Sequence, residues 1–290
     1  MALMVSLTVL AMPKAMAQLN PLVQHLEVKE YVPYDTIDGP ACFFELSMDY
    51  FLEGASDRFR ASILKANFSF GKNRSLTSQS EVGFQELKPD VLPKEPVLNL
   101  GIVNKAVIEN AFGKEYGRES MLLAAAHYRD AMVDDYRKNV KGLLEVVSDA
   151  DNLEYSYYIK GEVIDTGKLF VTYRLEKSYY TGGAHPMHEL TYLNFDGNGL
   201  ISLEKLFGDR QDVLEKAVFK ALLDKEGVKN AEGLKEKSYF PDQFKVSEDF
   251  YVNRDSIVFV YDPYEIAAYS NGIVEVAVPL KTLKKKGLWE

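Results

Sequence analysis

The residues of this chain best suited to chemistry lie in Tyr179-Tyr180-Thr181-Gly182-Gly183-Ala184-His185-Pro186 and just beyond it, at His188 and Glu189. Paired glycines open backbone conformations closed to other residues and leave amides free for close approach by a partner. His185 could donate a hydrogen bond to a glycan or protein ligand, and Tyr179 and Tyr180 could stack on a sugar face. Against this stands a plainer reading, in which Gly182 and Gly183 make a bulge or corner between strands and His185 bonds to backbone. Both readings stay open at this stage. His185, His188 and Glu189 also suggest a metal trio, but Pro186 and the flanking strand patterns oppose a helix. On a strand, residues three apart point to opposite faces, so no metal is expected. Glu265, in Tyr264-Glu265-Ile266-Ala267-Ala268-Tyr269, could anchor a ligand hydroxyl or brace its own turn.

Enzyme signatures are missing. There is no Gly-x-Ser-x-Gly elbow, no phosphate loop and no dinucleotide fingerprint, and no cofactor is expected. Acidic pairs are too numerous in this chain for any one of them to mark a glycoside hydrolase. A hydrolase would have to use His185 with Glu189 or Glu265, brought within hydrogen-bond reach in one cleft.

The elements that must position these residues follow from periodicity. Cys42 to Phe51 alternates, with Phe44, Leu46, Met48 and Tyr50 on one face and Glu45, Ser47 and Asp49 on the other. Val103, Val107 and Ala111 form a helical stripe that stops at Gly113. Met121, Ala125, Tyr128, Met132 and Tyr136 form a second stripe behind an N-cap at Ser120, and this helix should lie across a sheet. Leu153–Ile164 and Lys168–Ser178 flank Asp165-Thr166-Gly167 as a hairpin, and Glu189–Asp196 adds a strand that ends in the turn Asp196-Gly197-Asn198-Gly199. Leu203 to about Leu223 is helical, and Phe250–Val252, Ser256–Tyr261 and Ile273–Pro279 make a closing meander. Ser256–Tyr261 is apolar almost throughout and is expected as the covered central strand. Strands and helices come in blocks, which predicts an α+β fold with antiparallel sheet and helices packed on one face. Residues 18–40, with Pro21, Pro33 and Pro40, are expected as an extended leader, and Lys72–Pro96 mainly as loop.

Composition bounds the setting. The 290 residues, 47% of them hydrophobic, suffice for a sizeable core in one large domain or two small ones. An apolar run from Ala2 to Met12 leads through Pro13 to Ala15-Met16-Ala17, a small-residue cleavage pattern, so residues 1–17 are expected to be a secretory signal cut before Gln18. No Lys or Arg precedes the run, a departure from the usual pattern, and the run is too short to span a bilayer. Removing residues 1–17 takes Lys14 and no acid, which moves the net charge from −9 to −10. Such acidity repels phosphate backbones, so nucleic acid is not an expected partner, while a basic protein is. Cys42, the only cysteine, excludes an intramolecular disulfide and is expected in the core.

Residues 151–290 resemble the extracytoplasmic C-terminal domain of the anti-sigma-V factor, a family otherwise described as a domain of unknown function. The resemblance is carried by Tyr180 to His185, Leu193-Asn194-Phe195-Asp196, Ile201-Ser202-Leu203, Leu206-Phe207, Phe259 to Tyr261, Tyr264 to Ala267 and Tyr269-Ser270-Asn271-Gly272. Residues 41–150 resemble, more by element order than by motif, the region preceding the catalytic domain of PdaC-type peptidoglycan deacetylases. The resemblance implies an α+β receptor domain outside the cytoplasmic membrane, in a relative that binds lysozyme. The sigma-binding segment and the deacetylase domain have no counterpart here, so neither activity carries over. The expectation is a secreted or periplasmic, non-catalytic cell-envelope binding protein, for a lysozyme-like protein or a cell-wall glycan. The alternatives are an envelope hydrolase and a structural envelope protein. The ligand-binding candidates are Tyr179, Tyr180, Thr181, Gly182, Gly183, His185 and Glu265.

Overall fold

A computed structural model describes residues 23–35, 39–51, 79–84, 100–145, 153–165, 171–196, 199–253 and 255–289. The expected signal segment and most of Lys72–Pro96 lie outside the described residues.

Seven strands form the larger sheet: β1 (Val23–Pro33), β2 (Ala41–Phe51), β3 (Gln79–Phe84), β4 (Tyr155–Asp165), β5 (Val171–Tyr180), β6 (Met187–Asp196) and β7 (Gly199–Leu200). Their order is β3-β1-β2-β4-β5-β6-β7. All neighbours are antiparallel except β2 and β4, which run parallel with Cys42 opposite Tyr155 and Met48 opposite Gly161. That pairing carries the sheet straight across the expected boundary at residue 150.

The alternation of β2 has the expected consequence. Phe44, Leu46 and Met48 are buried beneath two helices, α1 (Leu100–Ala111) and α2 (Met121–Leu144). Val103, Val107 and Ala111 of α1 join the same core, as do Met121, Ala125 and Tyr136 of α2, with Tyr128 and Met132 packed at its margin. Ser120 caps α2, its Oγ accepting from the Leu123 amide at 3.4 Å. Cys42 is fully buried in this core, and burial pushes its thiol pKa up to about 12.

Residues 23–33, expected as part of an extended leader, instead form β1, an interior strand paired with β2 on one side and β3 on the other. Leu26, Val28 and Val32 face the helices, but so do the buried Gln24 and Glu30. Glu30 is tolerated there because Arg129 of α2 donates to both of its carboxylate oxygens at 3.0 and 2.8 Å. Residues 79–84, expected as loop, form β3.

A second core gathers Ile201 to Leu288. It lies between α3 (Leu203–Phe207), α4 (Gln211–Glu226), α5 (Ala231–Glu236) and α6 (Leu280–Lys285) and a three-stranded antiparallel sheet. The sheet order is β10 (Val274–Pro279), β9 (Ser256–Tyr261), β8 (Phe250–Val252), so Ser256–Tyr261 is central as expected. Ile257, Phe259 and Tyr261 enter the helical core. Val260, on the other face, packs with Leu190 and Tyr192 of β6. Each sheet therefore carries its helices on one face, and the small sheet lies against the outer side of the large one. The chain is an α+β protein. No described helix is long and apolar enough to cross a membrane.

Candidate functional site

β5 ends at Tyr180 and β6 begins at Met187, so Thr181–Pro186 is the loop of a hairpin. Gly182 and Gly183 take φ of 94° and 111°, a region unfavourable to L side chains, which is what turns the chain there. Thr181, Gly182, Gly183 and Ala184 are exposed, and Tyr180 Oη closes the loop by donating to the Gly183 carbonyl at 3.0 Å.

The second component comes from between β9 and β10. Ile266 and Ala267 are buried, and the chain is tied down by Phe240 N to Ile266 O at 2.7 Å and Ala268 N to Ser238 O at 2.9 Å. With its centre anchored, the segment presents Tyr264 outward, 51% exposed and at φ 74°. Glu265 Oε2 accepts the Asp262 amide at 2.6 Å, so this carboxylate braces its own turn. The structural half of the sequence expectation for Glu265 describes its present bonding.

These two loops meet. His185 stacks on Tyr269 with ring centroids 3.8 Å apart and planes 22° from parallel. Tyr264 lies 6.5 Å from His185 and 5.6 Å from Tyr269. Tyr269 Oη and His185 Nδ1 both point at the Pro186 carbonyl, at 3.0 and 3.2 Å. A carbonyl only accepts, so Nδ1 carries the hydrogen, and in the neutral ring Nε2 remains an acceptor. The result is a ledge of three aromatic rings beside the glycine corner, with Met187 exposed next to it. Flat rings of this kind suit the C–H face of a sugar, or a cationic side chain seated on their π-faces.

The remaining expected residues divide by face. Glu189 points to the helix side of the sheet, where Lys177 Nζ lies at 2.6 Å and Tyr179 Oη donates at 3.3 Å. Its neighbour His188 therefore points the other way. Among the described residues, neither Glu189 nor Glu265 hydrogen-bonds to His185, and no cluster of three or more His, Cys, Asp or Glu is arranged to hold a metal. Tyr179 thus belongs to the strand interior rather than to the ledge. Tyr264 and Tyr269 were not singled out as contact residues by sequence reasoning. Their only signal is aromatic density in a loop whose apolar neighbours, Ile266 and Ala267, could anchor it.

Beneath the ledge, carboxylates join the two sheets. β7 covers only the end of β6, so among the described residues the upstream amides on this edge of β6 have no strand partner. Asp262 Oδ1 accepts the Leu190 amide and Asp249 Oδ1 the Tyr192 amide, each at 2.9 Å. Desolvation pushes Asp249 up to about 6 and Asp262 up to about 7, with repulsion from Glu265 adding to both. Burial raises Glu265 as well.

Residues 204–281 match a family model described as a protein of unknown function, DUF3298. This match coincides with the second core and includes the Tyr264–Tyr269 loop. A DUF3298 family member from Bacteroides fragilis is similar in structure, with a TM-score of 0.69 at 21% identity over 90% of this chain and 91% of that one. A DUF3298 family protein from Pseudomonas aeruginosa PAO1 is also similar, with a TM-score of 0.50 at 16% identity over 93% of this chain and 97% of that one. At such identities the likeness concerns the fold. No curated protein matches the chain.

Proposed function

We propose that this chain is an exported binding protein of the cell envelope that docks its ligand, without catalysis, on the His185–Tyr264–Tyr269 ledge and the adjoining Gly182-Gly183 corner. The observation that carries this reading is the stack of His185 on Tyr269, which joins two loops far apart in sequence into one surface, its two rings half-buried with Tyr264 exposed beside them. An exposed aromatic held in a costly left-handed conformation at Tyr264 supports a contact role. The ligand class that fits is a basic, lysozyme-like protein, with a peptidoglycan fragment as the second candidate. A net charge of −9 favours approach of a cationic surface. The resemblance of residues 151–290 to the lysozyme-binding domain of the anti-sigma-V factor points the same way. Export rests on the apolar Ala2–Met12 run and the small residues before Gln18.

Calorimetric titration of the mature chain with lysozyme and with purified muropeptides, at low and moderate salt, tests the proposal. Binding to one of them is expected, weakening about tenfold or more in Tyr264→Ala and in His185→Ala. For lysozyme, affinity should also fall as salt rises. No heat with either ligand at low salt would overturn the reading.

A further inference from the structure

On the face of the large sheet turned away from α1 and α2, three side chains of β1 and β2 are joined in series. Ser47 Oγ lies 3.3 Å from His25 Nε2, and His25 Nδ1 lies 2.9 Å from Asp49 Oδ1. The register explains the arrangement. His25 sits directly across from Asp49 in the antiparallel pair, and Ser47 is two residues before Asp49, hence on the same face. Protein chemistry then fixes the tautomer: a carboxylate only accepts, so Nδ1 carries the hydrogen and Nε2 is left to receive the Ser47 hydroxyl proton. Asp49 is itself held, its second oxygen accepting the Val163 amide at 3.1 Å and its carbonyl accepting from Tyr173 Oη at 2.7 Å. Hydroxyl, imidazole and oriented carboxylate, in that order, are the parts that activate a serine for attack.

We propose that Ser47 is a nucleophile for acyl transfer from small activated esters, with His25 as its base and Asp49 as the residue that positions the base. Ser47 Oγ bonds to the ester carbonyl carbon while the carbonyl π pair moves onto its oxygen, and the hydroxyl proton passes to His25 Nε2. Collapse of this intermediate breaks the bond to the leaving alkoxide, which takes the proton from His25, and Ser47 is left acylated. Water, deprotonated by His25, then attacks the same carbon and releases the acid and the free serine.

The surroundings set the expected behaviour. Lys160 of β4 is in register with Ser47 and places an ammonium on this face, 3.4 Å from Glu162. From β1, Glu27 faces the site and Lys29 pairs with both Glu27 and Glu45, while Arg174 of β5 pairs with Glu162. Asp49 and Glu27 raise the His25 pKa above 6.5 against the opposing effect of burial. The base is therefore neutral, and the serine active, only above that raised value. The His25 and Asp49 side chains are 36% and 24% exposed, which admits a small acyl donor. This site stands apart from the aromatic ledge and does not depend on the docking proposal.

The test uses the full chain and p-nitrophenyl acetate, following nitrophenolate release and mapping the acetyl group by peptide mass spectrometry. Ser47 is expected to acylate at least about tenfold faster than the exposed Ser270, with a pH profile that rises through an inflection above 6.5. Ser47→Ala should remove that acetyl group, and His25→Gln should slow Ser47 labelling about tenfold or more. Both positions are half-buried, and unchanged melting curves would confirm that the variants are folded. Labelling of Ser47 no faster than Ser270, or a rate unaffected by His25→Gln in the folded protein, overturns the proposal.

Discussion

Gly182 and Gly183 are glycines for a reason different from that of Gly161. A Cβ built on either corner glycine meets nothing within 4 Å, so space is not what excludes a side chain. Their positive φ values are, and Gly182→Ala or Gly183→Ala should each cost about 1 kcal/mol in urea denaturation. At Gly161 the backbone is ordinary, but a Cβ would collide with the Tyr173 phenol. Gly161→Ala must therefore displace a ring that bonds the Asp49 carbonyl, at an expected cost of about 1–3 kcal/mol. Tyr264 separates strain from docking in the same way. Its φ of 74° is one that a bulky side chain resists, so Tyr264→Gly should raise stability by about 1 kcal/mol while removing an exposed ring from the ledge. A more stable variant that binds its ligand less well is the expected pair of results, and unchanged binding would remove Tyr264 from the docking surface.

The elements differ in how plainly the sequence announces them, and the difference is physical. β2 alternates cleanly, and α2 declares itself through the Ser120 cap and a helical stripe, because each satisfies its own backbone or face locally. β1 is obscured because Gln24 and Glu30 stand at inward positions, and the group that makes Glu30 tolerable, Arg129, lies 99 residues away. The parallel joint of β2 with β4 likewise has no local signature. For the ledge, the glycine corner was legible, but its partner Tyr269 was not, since stacking across two loops leaves no spacing to read. Ser47 and Asp49 could be placed on one face of β2 from alternation, whereas the neighbour His25 required the register of an unrecognised strand. The end of β2 offers a test at this scale. Asn104 of α1 accepts from the Phe51 amide at 2.9 Å and donates to its carbonyl at 2.6 Å, all of it buried. Asn104→Ala strands both backbone groups, and equilibrium unfolding should show a loss of about 2–4 kcal/mol, well beyond that of an ordinary surface change.

At the scale of the whole molecule, the two sheets are held together by a joint whose strength depends on protons. Leu190, Tyr192 and Val260 supply its apolar part, and Asn194 adds a bond from its side chain to the Phe250 carbonyl at 2.7 Å. Asp249 and Asp262 complete it by occupying the β6 amides, yet both carboxylates are desolvated and their pKa values stand at about 6 and about 7. Their ordinary value is 3.8, so between that pH and the raised values the folded chain holds more protons than the unfolded one. Linkage then gives a negative slope: stability falls as pH rises from about 4 to about 7, and the full cost persists above. Allowing for partial solvent screening, each group accounts for about 1–2 kcal/mol. Thermal melting in matched ionic strength should therefore show a higher Tm near pH 5 than near pH 8. Asp249→Asn keeps an oxygen for the Tyr192 amide and removes the charge. It should raise Tm at pH 8, leave it nearly unchanged at pH 5, and flatten the profile between them. If the Asp249→Asn variant melts lower than the parent at pH 8, the ionised carboxylate strengthens the joint, contrary to the desolvation reasoning.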